Sequence, residues 1–223
     1  VLAAADYFRP FFDDPPAFVL IITIWLYGAG LGIKLIRGRK KNGAAGVLPT
    51  EAFERTIWPV WFPLLVAWVL MPGLAVKRRH PWLVISQDVL QDPGWWAVRW
   101  IAALTAVLSL ILVMWCWRHM GRSWRVGVMP GARSALVTGG PYRCIRHPIY
   151  AFSMLLVLCS VVIVPTAAMI LVALPHFVFM TLKARREEQV LLRIYGDAYA
   201  EYCERTGRFF PPLMSRRWRL CSR

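Results

Sequence analysis

Long apolar runs separated by short basic clusters dominate the pattern of this chain. A bilayer core takes roughly 20 apolar residues per spanning helix, within a range of about 17 to 25. Residues 17–36, 57–76 and 95–117 each fit one span. A fourth apolar region, 148–182, would measure about 52 Å as one helix, well beyond a hydrocarbon core about 30 Å thick. It must fold back. Pro165 lies near its middle with no charge around it, so the pattern predicts a tight helical hairpin with short arms, 149–164 and 166–182. The expected fold is all-α: a polytopic membrane helix bundle of about five transmembrane helices with a C-terminal helical hairpin. Residues 1–117 would hold three N-terminal spans, and 118–223 the hairpin, a helix beyond it and the candidate chemistry.

Charge sets the expected orientation. Arg37-Gly38-Arg39-Lys40-Lys41 follows the first span, the basic stretch 118–146 the third, and Lys183-Ala184-Arg185-Arg186 the fifth. Basic loops stay cytoplasmic, so these ends are expected inside and the N-terminal Asp6, Asp13 and Asp14 outside. Lys77-Arg78-Arg79-His80 then falls on the outer side, which assigns 77–94 to the interface or else means that one span does not cross. Trp58 and Trp61, Trp95 and Trp96, and Trp115 and Trp117 sit near span ends as interfacial anchors. Gly28-Ala29-Gly30-Leu31-Gly32 lies inside the first span with no strand before it, and reads as helix packing through Gly28 and Gly32 rather than a nucleotide loop. His176, after Pro175, reads as a packing residue at a kink, with contact to a site as the other option for an intramembrane ionisable group.

Composition agrees with the membrane reading and narrows the partners. Of 223 residues, 58% are hydrophobic, 17% are charged and 12 are Trp, which is far from a soluble balance. A formal charge of +15 could suit nucleic acid, but the basic residues flank apolar runs, so membrane lipids with anionic headgroups are the expected counter-charge and no nucleic acid is expected. The five cysteines are odd in number and lack metal-type spacing, so they are expected reduced and no metal site is expected. The sequence starts at Val1, which leaves a preceding targeting segment open. Oligomeric state is not legible.

The candidate chemistry sits at the two ends of the hairpin. Pro148 disfavours the αR region at His147 and suits the first helical position, so a helix is expected to begin at Pro148 with His147 at its cap. Free N–H groups at Ile149 and Tyr150 would then make a place for a carboxylate or phosphate, strengthened by Arg143 and Arg146. On the other arm, Glu187 shares a helical face with Val190, Leu191 and Ile194. An acidic group on an apolar face needs a partner. The hairpin returns Glu187 and Glu188 to the Arg146-His147 side, where acid and base together could enclose a ligand carrying both amino and carboxyl groups. The alternative is an internal ion pair of Arg146 with Glu187 or Glu188.

Met120-Gly121-Arg122-Ser123-Trp124, Leu136-Val137-Thr138-Gly139-Gly140-Pro141-Tyr142-Arg143, Arg146-His147-Pro148-Ile149-Tyr150, Glu187-Glu188 and Gly196-Asp197-Ala198-Tyr199-Ala200-Glu201-Tyr202 follow one another in the C-terminal half. In order and spacing, over about residues 118–212, they resemble the isoprenylcysteine carboxyl methyltransferase family and related phospholipid methyltransferases. The resemblance implies S-adenosyl-L-methionine as methyl donor, held without a Rossmann sheet by a methyltransferase-like region within 118–223. It implies that Tyr142, Arg146, His147, Pro148 and Tyr150 line the cofactor pocket, that Glu187 and Glu188 bind its ribose or amino group, and that Val137 and Gly140 offer backbone contacts. Arg146, His147 and Glu188 are the candidate catalytic groups. One departure is Phe152, where family members often have Gly; its ring would reshape the acceptor channel or narrow the cofactor pocket.

The implied acceptor is a lipophilic small molecule or lipidated substrate, with a prenylcysteine-like carboxylate as the main reading. A carboxylate needs no general base, and Arg146 could position it. A phospholipid amine would need a base such as Glu188 or His147, and a small thiol is a third option. An NADPH-dependent membrane sterol reductase has a similar Arg-His-Pro-x-Tyr segment, but usually with Asn after Pro and an acidic residue after Tyr. Here Ile149, Ala151, Phe152 and Ser153 occupy those places. A non-catalytic lipid-binding protein completes the alternatives.

Overall fold

Apolar side chains in lipid leave the backbone to satisfy its own hydrogen bonds, and helices do so. The computed structural model describes residues 13–42, 52–76, 92–121 and 136–212. It contains α1 (Pro15–Asn42), α2 (Ala52–Val76), α3 (Pro93–Met120), a 3-10 turn (Gly140–Arg143), α4 (Pro148–Ile163), α5 (Ala167–Tyr195) and α6 (Asp197–Arg205). Local chemistry explains the boundaries. Asp92 accepts from Trp95 N at 2.5 Å, with Pro93 at the first position of α3. Thr166 accepts from Met169 N at 3.2 Å to start α5, and Gly196 ends it at φ +54, a value that favours glycine.

The protein is a polytopic α-helical membrane bundle, and the expected count of spans is corrected. Among the described residues four helices, not five, are long and apolar enough to cross a membrane: α1, α2, α3 and α5. The hairpin turns at Val164–Thr166 around Pro165, but α4, with 16 residues, is about 24 Å long and falls short of a core of about 30 Å. The expected packing through Gly28 and Gly32 is also corrected. A side chain at either would meet nothing within 4 Å, whereas a Cβ on Gly30 would come within 2.9 Å of the Trp117 ring. The α1–α3 contact thus runs through Gly30, and Lys34 Nζ donates to Trp117 O at 3.0 Å just beyond it.

α4 packs mainly on α3, and α5 lies against both α2 and α4. Their shared core includes Val113, Leu156, Ile163 and Met169, all fully buried, while Trp25, Leu104 and Leu171 face outward as lipid-exposed side chains do. Phe152 joins the edge of this core. His176 lies inside the bundle, with Nε2 3.2 Å from Ser153 Oγ and its ring 6.5 Å from the rings of both Trp61 and Trp68.

At the end of the bundle away from the 3-10 turn, the fully buried Arg99 ties three segments together. Its NH2 group donates to Asp14 Oδ1 and Oδ2 at 2.7 and 2.5 Å, and Nε donates to Ile163 O at 2.9 Å. The start of α1, the first turns of α3 and the hairpin reversal therefore share one guanidinium. Lys77-Arg78-Arg79-His80 and most of the 77–94 segment lie outside the described residues.

Candidate functional site

α4 begins at Pro148, with His147 at its cap as the Pro rule requires. The preceding Ile145 forms a parallel bridge with Gly207. Arg146 N donates to Gly207 O at 2.8 Å and His147 N to Arg208 O at 3.0 Å, while Gly207 N returns a bond to Cys144 O at 3.1 Å. Residues 206–209 thus strap the entry to α4. Gly207 also permits the tight turn that follows, since a Cβ there would collide with the Phe210 carbonyl oxygen.

The antiparallel α5 carries its polar extension back to this entry. Arg146 Nε donates to Glu188 Oε1 at 2.9 Å, and Arg146 NH1 donates to Cys203 O at 3.0 Å and to Thr206 O. Glu188 also receives Arg208, through Nε at 3.0 Å and NH2 at 2.5 Å. Two guanidiniums therefore converge on one carboxylate, the charge-assisted geometry that makes such bonds strong. That bond to Glu188 holds Arg208 more firmly protonated than usual. Sequence reasoning missed Arg208 and Thr206, which stand in a short irregular segment without periodicity.

Glu187 points to a different set of partners. Tyr150 Oη donates to its Oε1 at 2.6 Å, Lys183 Nζ lies 3.9 Å from the same oxygen, and His147 Nδ1 lies 3.6 Å from Oε2. The His147 and Tyr150 rings stack at 5.4 Å and 4°, which fixes the imidazole plane. His147 Nε2 is 3.4 Å from Glu188 Oε1, yet it is buried without a hydrogen bond. Below this polar layer Met154, Phe179 and Met180 form a small apolar cluster with Trp61, Tyr150 and Phe209 at its edge.

The 3-10 turn supplies the third wall. Tyr142 is buried, its carbonyl accepts from Tyr202 Oη at 2.6 Å, and its own hydroxyl is buried without a hydrogen bond. Burial pushes the Tyr142 hydroxyl well above the usual phenol range, with Cys116, Tyr202 and Glu187 adding to the effect. Burial likewise raises the Cys203 thiol, against the opposing pull of Arg146. His119, at the end of α3, lies over the turn with its ring 6.3 Å from that of Tyr142.

The sequence-derived candidates are thus brought together unevenly. Arg146, His147, Tyr150, Glu187 and Glu188 meet directly. Pro148 is buried at the first turn of α4. Gly140 opens the 3-10 turn that carries Tyr142, and Val137 lies on the segment before it. The internal ion pair of Arg146 exists, and its partner is Glu188.

A match to a known family covers the residues that carry these groups. Residues 97–198 match the phospholipid methyltransferase family model, a stretch that holds most of α3, all of α4 and α5, and every candidate above. The chain is 31% identical over 145 residues to the cobalt-zinc-cadmium resistance protein CzcN of Cupriavidus metallidurans, covering 63% of this chain and 66% of that protein, just under two thirds of its length. It is 29% identical over 145 residues to the nickel-cobalt-cadmium resistance protein NccN of Alcaligenes xylosoxydans xylosoxydans, covering 63% and 67%. Together these matches relate the chain, through residues 97–198, to the broad group of isoprenylcysteine and phospholipid methyltransferase-like membrane proteins, without choosing a member.

Proposed function

We propose that the chain is an integral membrane methyltransferase that uses S-adenosyl-L-methionine and acts on a lipophilic acceptor, with its site on the cytoplasmic side. The observation that carries this reading is the cluster of Glu187, Tyr150 and His147 at the entry to α4, within the matched stretch 97–198. The basic residues at the same end, among them Arg37, Arg39, Arg185 and Arg186, support the cytoplasmic orientation.

The residues fit the donor. A cationic amino group and sulfonium call for carboxylates and aromatic faces, and the cluster offers Glu187 with the rings of Tyr150 and Tyr142. One buried polar atom, Tyr142 Oη, has no hydrogen bond and stands ready for a ligand, and His147 Nε2 has Glu188 Oε1 beside it at 3.4 Å. When bound, S-adenosyl-L-methionine supplies an electrophilic methyl group. In this proposal Glu187, His147, Tyr142 and Tyr150 hold it, Val137, Gly140 and Pro148 shape the backbone around it, and Arg146 with Glu188 holds the strap that closes the site. Residues 118–223 together with the end of α3 form the cofactor region, and the N-terminal helices complete the bundle.

For the acceptor, the family match favours a phospholipid amine over the prenylcysteine-like carboxylate. An amine must lose a proton as it is methylated. Glu188 is engaged by Arg146 and Arg208, so His147, held by Tyr150 and Glu187, is the base in this reading. The apolar layer of Met154, Phe179 and Met180 would take the acceptor's chain. The relatives' names add cobalt, zinc, cadmium and nickel resistance as a cellular setting to examine. The purified protein, given radiolabelled methyl donor and vesicles of amine phospholipid, a prenylcysteine or a small thiol in turn, should label the amine lipid. Label in the prenylcysteine alone would return the acceptor to a carboxylate, and label in none would oppose the enzymatic reading.

A further inference from the structure

Among the residues outside the candidate set, His119 has the most specific placement. It lies in the last turn of α3 and is exposed, while the turn beneath it is built around its ring. Gly140 adopts φ +58, and a Cβ there would come within 2.7 Å of His119 Nδ1 and Cε1; one on Gly139 would come within 3.4 Å of Nε2. Gly140, at positive φ, lets the backbone run this close under the imidazole, and Gly139 beside it makes ordinary contact with the ring. Beside it the Tyr142 ring stands 6.3 Å away, inclined by only 23°. The two rings make an aromatic flank with one buried member and one open to a ligand. The carboxylates Glu187 and Glu188 arrive from α5 instead, and on this flank the buried Tyr142 hydroxyl lacks a hydrogen bond.

We propose that His119 is a cofactor-contacting residue whose exposed imidazole face stacks on the adenine ring of the bound methyl donor, with Gly139 and Gly140 as the floor. This rests on the methyltransferase reading and assigns one end of the ligand to one wall of the site. A flat aromatic base matches a flat imidazole over glycine backbone, whereas the charged end of the donor matches the carboxylates across the site.

The test is calorimetric binding of S-adenosylhomocysteine to the full-length protein in detergent, with melting followed in parallel. Wild-type protein should bind, His119→Ala should bind about tenfold more weakly, and His119→Phe, which keeps an aromatic face, should stay within about threefold of wild type. Wild-type binding with unchanged affinity in His119→Ala would overturn the proposal and leave the methyltransferase reading standing. Absence of wild-type binding would overturn both. If His119→Ala fails to fold, the pair His119→Phe and His119→Gln decides: retention by Phe and loss by Gln supports stacking, and any other pattern overturns it.

Discussion

Arg146 and Glu188 meet at 2.9 Å across 42 positions of sequence, and the same guanidinium reaches the carbonyls of Cys203 and Thr206. The pair therefore closes the hairpin on one side and anchors the 206–209 strap on the other. Both side chains are mostly covered, with 12% and 13% exposure; removal of Arg146 leaves Glu188 with Arg208 as its remaining guanidinium and takes a donor from the carbonyls of Cys203 and Thr206.

Arg146→Ala should accordingly destabilise the protein by about 1.5–3 kcal/mol through its lost bonds to Glu188 and the strap carbonyls. Any loss of donor binding should track the loss of folded protein. Glu187→Gln should act differently, costing about 1.5–3 kcal/mol of binding, the worth of a hydrogen bond to a charged group, with little change in melting. Thermal melts and calorimetry on both variants check this division. Equal behaviour of the two would contradict it.

Much of this arrangement was legible in the sequence, for identifiable reasons. Long apolar runs, Pro165 between short arms and Pro148 after His147 are local signals, and they located the helices, the reversal and the start of α4. The shortness of α4 was legible too, but apolarity alone does not say whether a helix of 16 residues crosses. The strap was not legible. Arg208 belongs to Thr206-Gly207-Arg208-Phe209, whose meaning comes from tertiary pairing with residues 145–147. Asp14 reads only as a topology marker, and nothing local in the apolar run 95–117 ties Arg99 to it; the fold brings the two together. Gly30 was passed over for Gly28 and Gly32 because a spacing rule does not say which face meets a neighbour.

The Arg99 clasp is at the opposite end of the bundle and should affect stability without affecting the site. Arg99→Ala leaves Asp14 without its ion-pair partner and Ile163 O without the guanidinium donor, a loss of about 3–5 kcal/mol. The surviving folded fraction should bind S-adenosylhomocysteine with wild-type affinity. A large affinity change in folded protein would mean that the two ends of the bundle are coupled.

Topology offers an independent check. Cysteines placed at Arg39 and Arg185 should both label from the cytoplasmic side, and one at Asp13 from the outside, because basic ends are retained inside and the short α4 still runs from the 3-10 turn to the Arg99 end of the bundle, from which α5 returns. Labelling of the Arg39 and Arg185 positions from opposite faces would overturn the proposed course of the chain.

Cys203 provides a pH-dependent readout of the strap region. Its thiol is raised by burial, and the thiolate is the reactive form. Maleimide labelling at Cys203, measured as the difference from Cys203→Ser, should be slow at neutral pH and keep rising beyond the pH at which an ordinary thiol is fully reactive. Arg146→Ala removes an opposing charge and opens the strap, so burial is lost and labelling at neutral pH should accelerate. A slower Arg146→Ala variant would mean that the cation, rather than burial, governs the thiol.

The central claim is that the cluster around Glu187, Tyr150 and His147 binds a methyl donor. Equilibrium binding of tritium-labelled S-adenosyl-L-methionine to the detergent-purified protein, compared with NADPH under the same conditions, tests it most directly. Saturable donor binding is expected in the micromolar range, about −8 kcal/mol, displaced by S-adenosylhomocysteine and weakened in Glu187→Gln, with no saturable NADPH binding. Saturable NADPH binding with none for the methyl donor would contradict it.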